Sequence, residues 1–316
     1  MKACIHTSPL LQVPRLPDNM SPFDLDNEQD YRIWRAAKLR DYPQGVDQLL
    51  VEVEDINNLS ATEHHVLVGQ CKKANAVIYR SRVPLSTKNR LGEICSSFGL
   101  QHLDKNLYAD DDGISALQVS SQKRQFEYIP YSDKPIRWHT DGYYNQSVHK
   151  IRAMVLHCAN PAQKGGENFL LDHEIVYILM RDENPDYIAA LMQADAMTIP
   201  ANIEQGVEIR PEQTGPVFSI DETSGDLHMR YTARTRSIEW KQDPMLKQAV
   251  TFLEHLLASD LPYIYHYRLQ ANEGILSNNV LHGRTKFENG NEVGEQRLMY
   301  RARYFERITG TSICDH

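Results

Sequence analysis

The chain has 316 residues, 41% of them hydrophobic and 24% charged, the make-up of an ordinary soluble globular protein that folds without disulfide staples. Its 42 acidic residues against 34 basic ones leave a net charge of −8, which argues against a phosphate-backbone footprint and so against nucleic acid as a partner. The five cysteines are widely spaced with no C-x-x-C pair, no apolar run reaches the roughly 18 residues of a membrane span, and Met1 to His6 opens no signal-peptide core. A reducing, cytoplasmic setting away from membranes is expected.

Residues 1 to 27 hold Pro9, Pro14, Pro17 and Pro22 with little periodicity, and are expected to form an extended arm laid over the body. Such an arm is long enough to reach a neighbouring subunit in a homo-oligomer. From Asn27 to Arg40, Tyr31, Ile33, Trp34, Ala37 and Leu39 follow helical spacing. Ser60 with Glu63 three residues on makes a capping box that opens a second helix toward Cys71, and a third runs from Thr87 to Ser97. After residue 114 the texture changes to short β-rich runs: Ala116 to Ser120, Ile151 to His157, Asn168 to Leu171, Val217 to Ile220, Leu227 to Tyr231, Gly274 to Asn278 and Arg297 to Phe305. Helical interruptions fall at Asp172 to Arg181, Asp186 to Gln193 and Pro244 to Ala258, and are expected to pack outside the sheets. The pattern predicts a mainly β protein, a sandwich or open barrel with helical elaborations.

The segment with most chemistry is Arg137-Trp138-His139-Thr140-Asp141-Gly142. On an extended backbone His139 and Asp141, two apart, leave the same face and can share one cation. H-x-D alone is weak, because it arises by chance in many chains. A third ligand is available in His282, within Asn279-Val280-Leu281-His282-Gly283-Arg284. Two imidazoles and one carboxylate form the facial triad of non-haem Fe(II) oxygenases, although zinc accepts the same set. In Gln296 to Phe305, strand alternation puts Arg297, Met299, Arg301 and Arg303 on one face, and three guanidinium groups aimed into one cavity call for anionic partners.

His139-Thr140-Asp141, the distal Leu281-His282-Gly283-Arg284, the Arg297 to Arg301 strand and Gly165-Gly166-Glu167-Asn168, in that arrangement, resemble the Fe(II)/2-oxoglutarate-dependent dioxygenases of the taurine dioxygenase (TauD/TfdA) family over residues 110 to 307. The resemblance implies a double-stranded β-helix, or jelly-roll, core over residues 111–307 within a single domain, wrapped by inserted helices and by the arm and helices of residues 1–110. It implies Fe(II) on His139, Asp141 and His282, and 2-oxoglutarate on that iron with its distal carboxylate on Arg297. Asn168 stands where relatives place a Thr or Ser beside that carboxylate. Arg301 matches the position that grips the anionic group of a small carboxylate or sulfonate substrate. The implied reaction is hydroxylation, desaturation or oxidative cleavage with O2, yielding succinate and CO2. Trp138, Tyr143, Tyr144, Arg230 and Tyr231 are expected pocket walls.

Two other readings keep part of this pattern. A zinc hydrolase uses the same triad but has no need of inward arginines, and a non-catalytic 2-oxoglutarate or anion sensor keeps Arg297 without needing the triad. Asp110 to Gly113 lacks the alternate spacing of a calcium loop and is taken as a solvated turn. The carboxylates of Asp172-His173-Glu174 are assigned to the N-terminus of a helix.

Overall fold

Two β-sheets organise the chain in the computed structural model, which describes residues 21–104, 112–119, 129–234 and 238–315. Ten strands build them: β1 (Leu50–Asp55), β2 (Ala76–Val83), β3 (Ser115–Leu117), β4 (Ile136–His139), β5 (Ala153–Asn160), β6 (Asn168–Leu171), β7 (Tyr265–Tyr267), β8 (Glu273–Ser277), β9 (Leu281–Arg284) and β10 (Leu298–Tyr304). The larger sheet runs β1-β2-β8-β5-β10-β3 and the smaller β7-β6-β9-β4. Every pairing is antiparallel except β1 with β2.

From β3 onward the chain crosses between sheets at almost every step: β3 large, β4 small, β5 large, β6 and β7 small, β8 large, β9 small, β10 large. That alternation is the winding of a double-stranded β-helix, as expected. The inward faces share one core, in which Leu117, Met154, Leu156, Ile275 and Met299 of the large sheet join Leu170 and Tyr265 of the small one, while Leu171 and Leu281 pack on the opposite face of the small sheet.

Among the described residues six helices cover the sheets: α1 (Glu28–Leu39), α2 (Ala61–Ala74), α3 (Lys88–Ser97), α4 (His173–Glu183), α5 (Pro185–Leu191) and α6 (Pro244–Ala258). Their ends follow local chemistry. Ser60 and Glu63 close the capping box of α2, with Glu63 N–H on Ser60 Oγ at 3.2 Å and Ser60 N–H on Glu63 Oε2 at 2.8 Å. Asn184 ends α4 and caps α5, whose first residue is Pro185. α2 and α3 bury Leu67, Cys71, Leu91, Ile94 and Cys95 against the outer face of the large sheet, on Val53, Val77, Val155 and Leu276.

Two features depart from expectation. The first 110 residues do more than wrap the core: β1 and β2 are strands of the large sheet, with β2 hydrogen-bonded to β8. The alternation Val51-Glu52-Val53-Glu54 carries this signal, and the helix-rich flanks obscure it. Asp172 does cap α4, accepting Glu174 N–H at 2.9 Å, but Asp172 and Glu174 also hold the buried Lys38 ammonium at 2.7 and 2.6 Å. Residues 1–20 of the proline-rich arm, Asp110 and Asp111 of the acidic turn, and Ser120 lie outside the described residues.

Candidate active site

β4 and β9 are neighbours in the small sheet, and His139 stands opposite His282 in their register. The imidazole centroids are 4.3 Å apart. The Nδ1 of His139 lies 3.0 Å from the Arg137 carbonyl, and that of His282 lies 2.8 Å from the Val280 carbonyl. A carbonyl only accepts, so each Nδ1 carries the proton and each Nε2 keeps its lone pair for a ligand. The ligand atoms of His139, Asp141 and His282 all lie within 4.8 Å of one another.

Asp141 reaches this position by a route that alternation did not predict. β4 ends at His139, and Asp141 sits in the following turn, with Gly142 at φ +70°. A Cβ on Gly142 would stand 2.4 Å from Ile151 Cγ1, so the turn closes only around glycine. Thr140 N–H donates to the Tyr231 carbonyl at 3.0 Å, and Tyr231 N–H returns a bond to Thr140 Oγ1 at 3.1 Å.

Burial and then the neighbouring His282 push the His139 imidazole down to about 3, and burial lowers His282 too. Burial alone would raise the Asp141 carboxyl; Arg301, Arg303 and the two imidazoles outweigh it and hold the group below the ordinary carboxylate range. At neutral pH the trio is therefore two neutral imidazoles and a carboxylate, the state a divalent cation needs. Asp141 Oδ2 is buried and has no hydrogen-bond partner among the described residues, which leaves one acceptor open for such an ion. Imidazoles kept neutral in the fold but free to protonate when unfolded stabilise the protein above about pH 6.5, and that contribution is lost as pH falls toward 3. His157, pushed down to about 4 by burial, acts in the same direction. Thermal unfolding of metal-free protein should therefore show Tm falling steadily from pH 6.5 to 4, and a flat profile would contradict neutral burial.

The basic residues make two sets of contacts. Arg301 Nη1 donates to Asp141 Oδ1 at 3.4 Å; Arg303 Nη1 stands 3.7 Å from the same oxygen, donates to the Tyr144 hydroxyl at 3.0 Å, and its Nη2 pairs with Asp104. Arg297 stands just before the strand, which begins at Leu298. The Arg297 guanidinium lies 5.0 Å from the Phe287 ring centre, and that of Arg284 lies 4.6 Å from it.

Sequence reasoning assigned no role to Arg284. The signal was present, since Arg284 is two residues beyond His282 on β9 and shares its face. Both guanidiniums are buried, and burial lowers Arg297 to about 10 and Arg284 to about 9, the latter also through repulsion by Arg297. Arg284 Nη2 donates to the Ser132 and Lys134 carbonyls at 2.9 and 2.5 Å, whereas Arg297 has no ion pair among the described residues. Two buried cations side by side call for an anion. Asn168 faces Arg284 across the β6–β9 ladder, and among the described residues its Nδ2 makes only a 3.5 Å contact with the Tyr267 carbonyl.

Of the expected walls, Tyr143 and Tyr144 flank the triad: the Tyr143 ring is 6.5 Å from His139 and 5.0 Å from Tyr144. The others do not line it. Trp138 points to the opposite face of β4 from His139, where Nε1 donates to the Leu257 carbonyl at 2.9 Å and the ring packs on Phe169 at 4.4 Å. Tyr231 is a core residue whose backbone holds Thr140. Arg230 gives its guanidinium to the carbonyls of Gln213, Gly215, Pro216 and Met197, bracing a bend of the chain. Arg230→Met should therefore cost about 1–3 kcal/mol of stability by leaving carbonyls unpaired, with substrate KM unchanged. Denaturant unfolding beside steady-state kinetics checks both.

A family model described as "Taurine catabolism dioxygenase TauD, TfdA family" matches residues 39–303. A uridine-5'-phosphate dioxygenase from Amycolatopsis sp is 30% identical over 175 residues, covering 54% of this chain and 60% of that protein. The chain thus aligns with less than two thirds of the relative's length. Among solved structures, an asparagine oxygenase in complex with Fe(II), 3-hydroxyasparagine and succinate aligns with TM-score 0.55 at 15% identity, covering 78% of this chain and 80% of that one. The non-heme iron oxygenase OrfP in complex with Fe, succinate and (3S)-hydroxy-L-Arg aligns with TM-score 0.57 at 13% identity, over 78% and 81% of the two chains. These structural likenesses establish the shared fold, and the family match, which runs from the end of α1 through β10 and takes in every residue of the triad, shows that this chain belongs to the TauD/TfdA dioxygenase family.

Proposed function

We propose that the protein is an Fe(II)/2-oxoglutarate-dependent oxygenase that oxidises a C–H bond of a small anionic metabolite, consuming O2 and 2-oxoglutarate and releasing succinate and CO2. The observation that carries this reading is the convergence of the His139, Asp141 and His282 ligand atoms, with both Nδ1 protons spent on carbonyls and Asp141 Oδ2 unpaired among the described residues. When bound, the iron supplies oxygen activation coupled to decarboxylation of 2-oxoglutarate. The chain's own part is binding and positioning. Arg297, with Arg284 and Asn168 beside it, suits the distal carboxylate of the co-substrate, which would neutralise the buried cations. Arg301 suits the anionic group of the primary substrate, and Tyr143 and Tyr144 wall the approach beside His139.

A zinc hydrolase would want a general base beside the ion, whereas the charged groups nearest Asp141 here are Arg301 and Arg303. Two relatives are named for uridine-5'-phosphate, so a phosphate ester joins carboxylates and sulfonates as a substrate class. We place the protein in the cytoplasm: Cys71, Cys95, Cys158 and Cys314 are free thiols, and among the described residues no helix is long and apolar enough to cross a membrane. The deciding experiment is O2-dependent succinate formation by protein reconstituted with Fe(II), screened across carboxylates, sulfonates and nucleotide monophosphates. Absence of a visible charge-transfer band with Fe(II) and 2-oxoglutarate under argon, together with absence of succinate, would sink the reading.

A further inference from the structure

Pairing with the Tyr231 segment ends at Thr140, so Asp141 lies in a turn, yet this ligand must meet two imidazoles fixed by the sheet. We propose that Asn279 is the positioning residue of this centre, pinning the Asp141 peptide and thereby the aim of its carboxylate; the role rests on the reading of His139, Asp141 and His282 as metal ligands.

The Asn279 side chain is buried, at 3% exposure, and is committed at both ends. Its Oδ1 accepts Asp141 N–H at 2.8 Å, and its Nδ2 donates to the Asp141 carbonyl at 2.9 Å and the Ile151 carbonyl at 2.7 Å. The partners fix the amide's orientation, since the flipped form would set Oδ1 against two carbonyls. A carboxamide presents a donor and an acceptor as a peptide does, so Asn279 gives Asp141 the two-bond pairing that an adjacent strand would have given. The third bond, to Ile151, ties down the far end of the same loop.

Asn279 also belongs to the turn that aims His282. Its backbone is left-handed, at φ +51°, a conformation asparagine tolerates, and the next residue, Val280, supplies the carbonyl that holds His282 Nδ1. One turn therefore orients an imidazole through its main chain and a carboxylate through its side chain. Arg301 and Arg303 both face Asp141 Oδ1, so a pinned peptide leaves Oδ2 as the oxygen free for a cation.

Asn279→Gly removes the amide and keeps the left-handed backbone unstrained. Asn279→Asp keeps the size and the acceptor but sets oxygen against two carbonyls. Mn(II) affinity is read from the electron paramagnetic resonance of the free ion, and each metal-free protein is melted in parallel. Asn279→Gly is expected to bind Mn(II) 10- to 100-fold more weakly while its metal-free form still unfolds cooperatively. Asn279→Asp should also bind more weakly, although its added negative charge alone would strengthen binding of a cation. Affinity equal to wild type in the folded variants overturns the role, as does loss of folding in both, because the amide would then hold the fold and not the ligand. Wild-type protein that takes up no Mn(II) would overturn the ligand reading itself, and this role with it.

Discussion

His282→Ala is expected to yield a folded protein that takes up no Fe(II) and forms no succinate. The imidazole sits on β9 opposite His139, and its Nε2 is left open by the bond from Nδ1 to the Val280 carbonyl. Alanine leaves one imidazole and one carboxylate, too few to hold a divalent cation against water. The backbone pairing of β9 with β4 and β6 does not depend on the side chain, so the fold should persist. Metal linkage supplies an independent readout. An ion that binds only the native state at 100 times its Kd raises stability by about 2.7 kcal/mol. Wild-type Tm should therefore climb with added Mn(II), and that of His282→Ala should not move. A variant that still titrates one ion per chain would remove His282 from the centre.

Arg297→Lys is expected to weaken 2-oxoglutarate binding roughly ten- to hundred-fold, about 1.5–3 kcal/mol, because a compact ammonium cannot reproduce the paired, charge-assisted hydrogen bonds of a guanidinium to a carboxylate. Metal affinity should stay at the wild-type value, since Arg297 lies beside Phe287 and Arg284 and not at the triad. The same geometry predicts an opposite effect on stability. Arg297 is buried beside a second cation with no acid paired to it among the described residues, so Arg297→Met should leave the metal-free Tm unchanged or raised while abolishing co-substrate binding. Calorimetric titration of 2-oxoglutarate under argon separates the two effects. Unchanged affinity in the lysine variant would take Arg297 out of this role.

The three residues whose ligand atoms converge were identifiable from chemistry and order along the chain, and so were the short strands and a capping box, because caps, turns and ligand spacing are set by covalent neighbours, whereas the double-stranded winding came only from the family resemblance. Asn184-Pro185, Ser60 with Glu63, and His139 with Asp141 all speak through residues a few positions apart. The pocket walls other than Tyr143 and Tyr144 were not legible in that way. Trp138 borders His139 in sequence but turns outward to Leu257, and Arg230 spends its donors on the carbonyls of Met197, Gln213, Gly215 and Pro216, well before it in the chain. Nor were the partners of the arginines, since Arg297 meets Phe287, and Arg301 and Arg303 meet Asp141, only once distant segments have packed. Asp141 is the sharpest case. Its identity as a ligand lay in the H-T-D spacing, yet that spacing assumes a strand that stops at His139. The carboxylate is brought back by Gly142 and by the amide of Asn279, far along the chain. Local sequence states which groups can bind a cation, whereas which groups meet is settled by pairing between distant strands, where one shifted hydrogen bond redirects every side chain that follows.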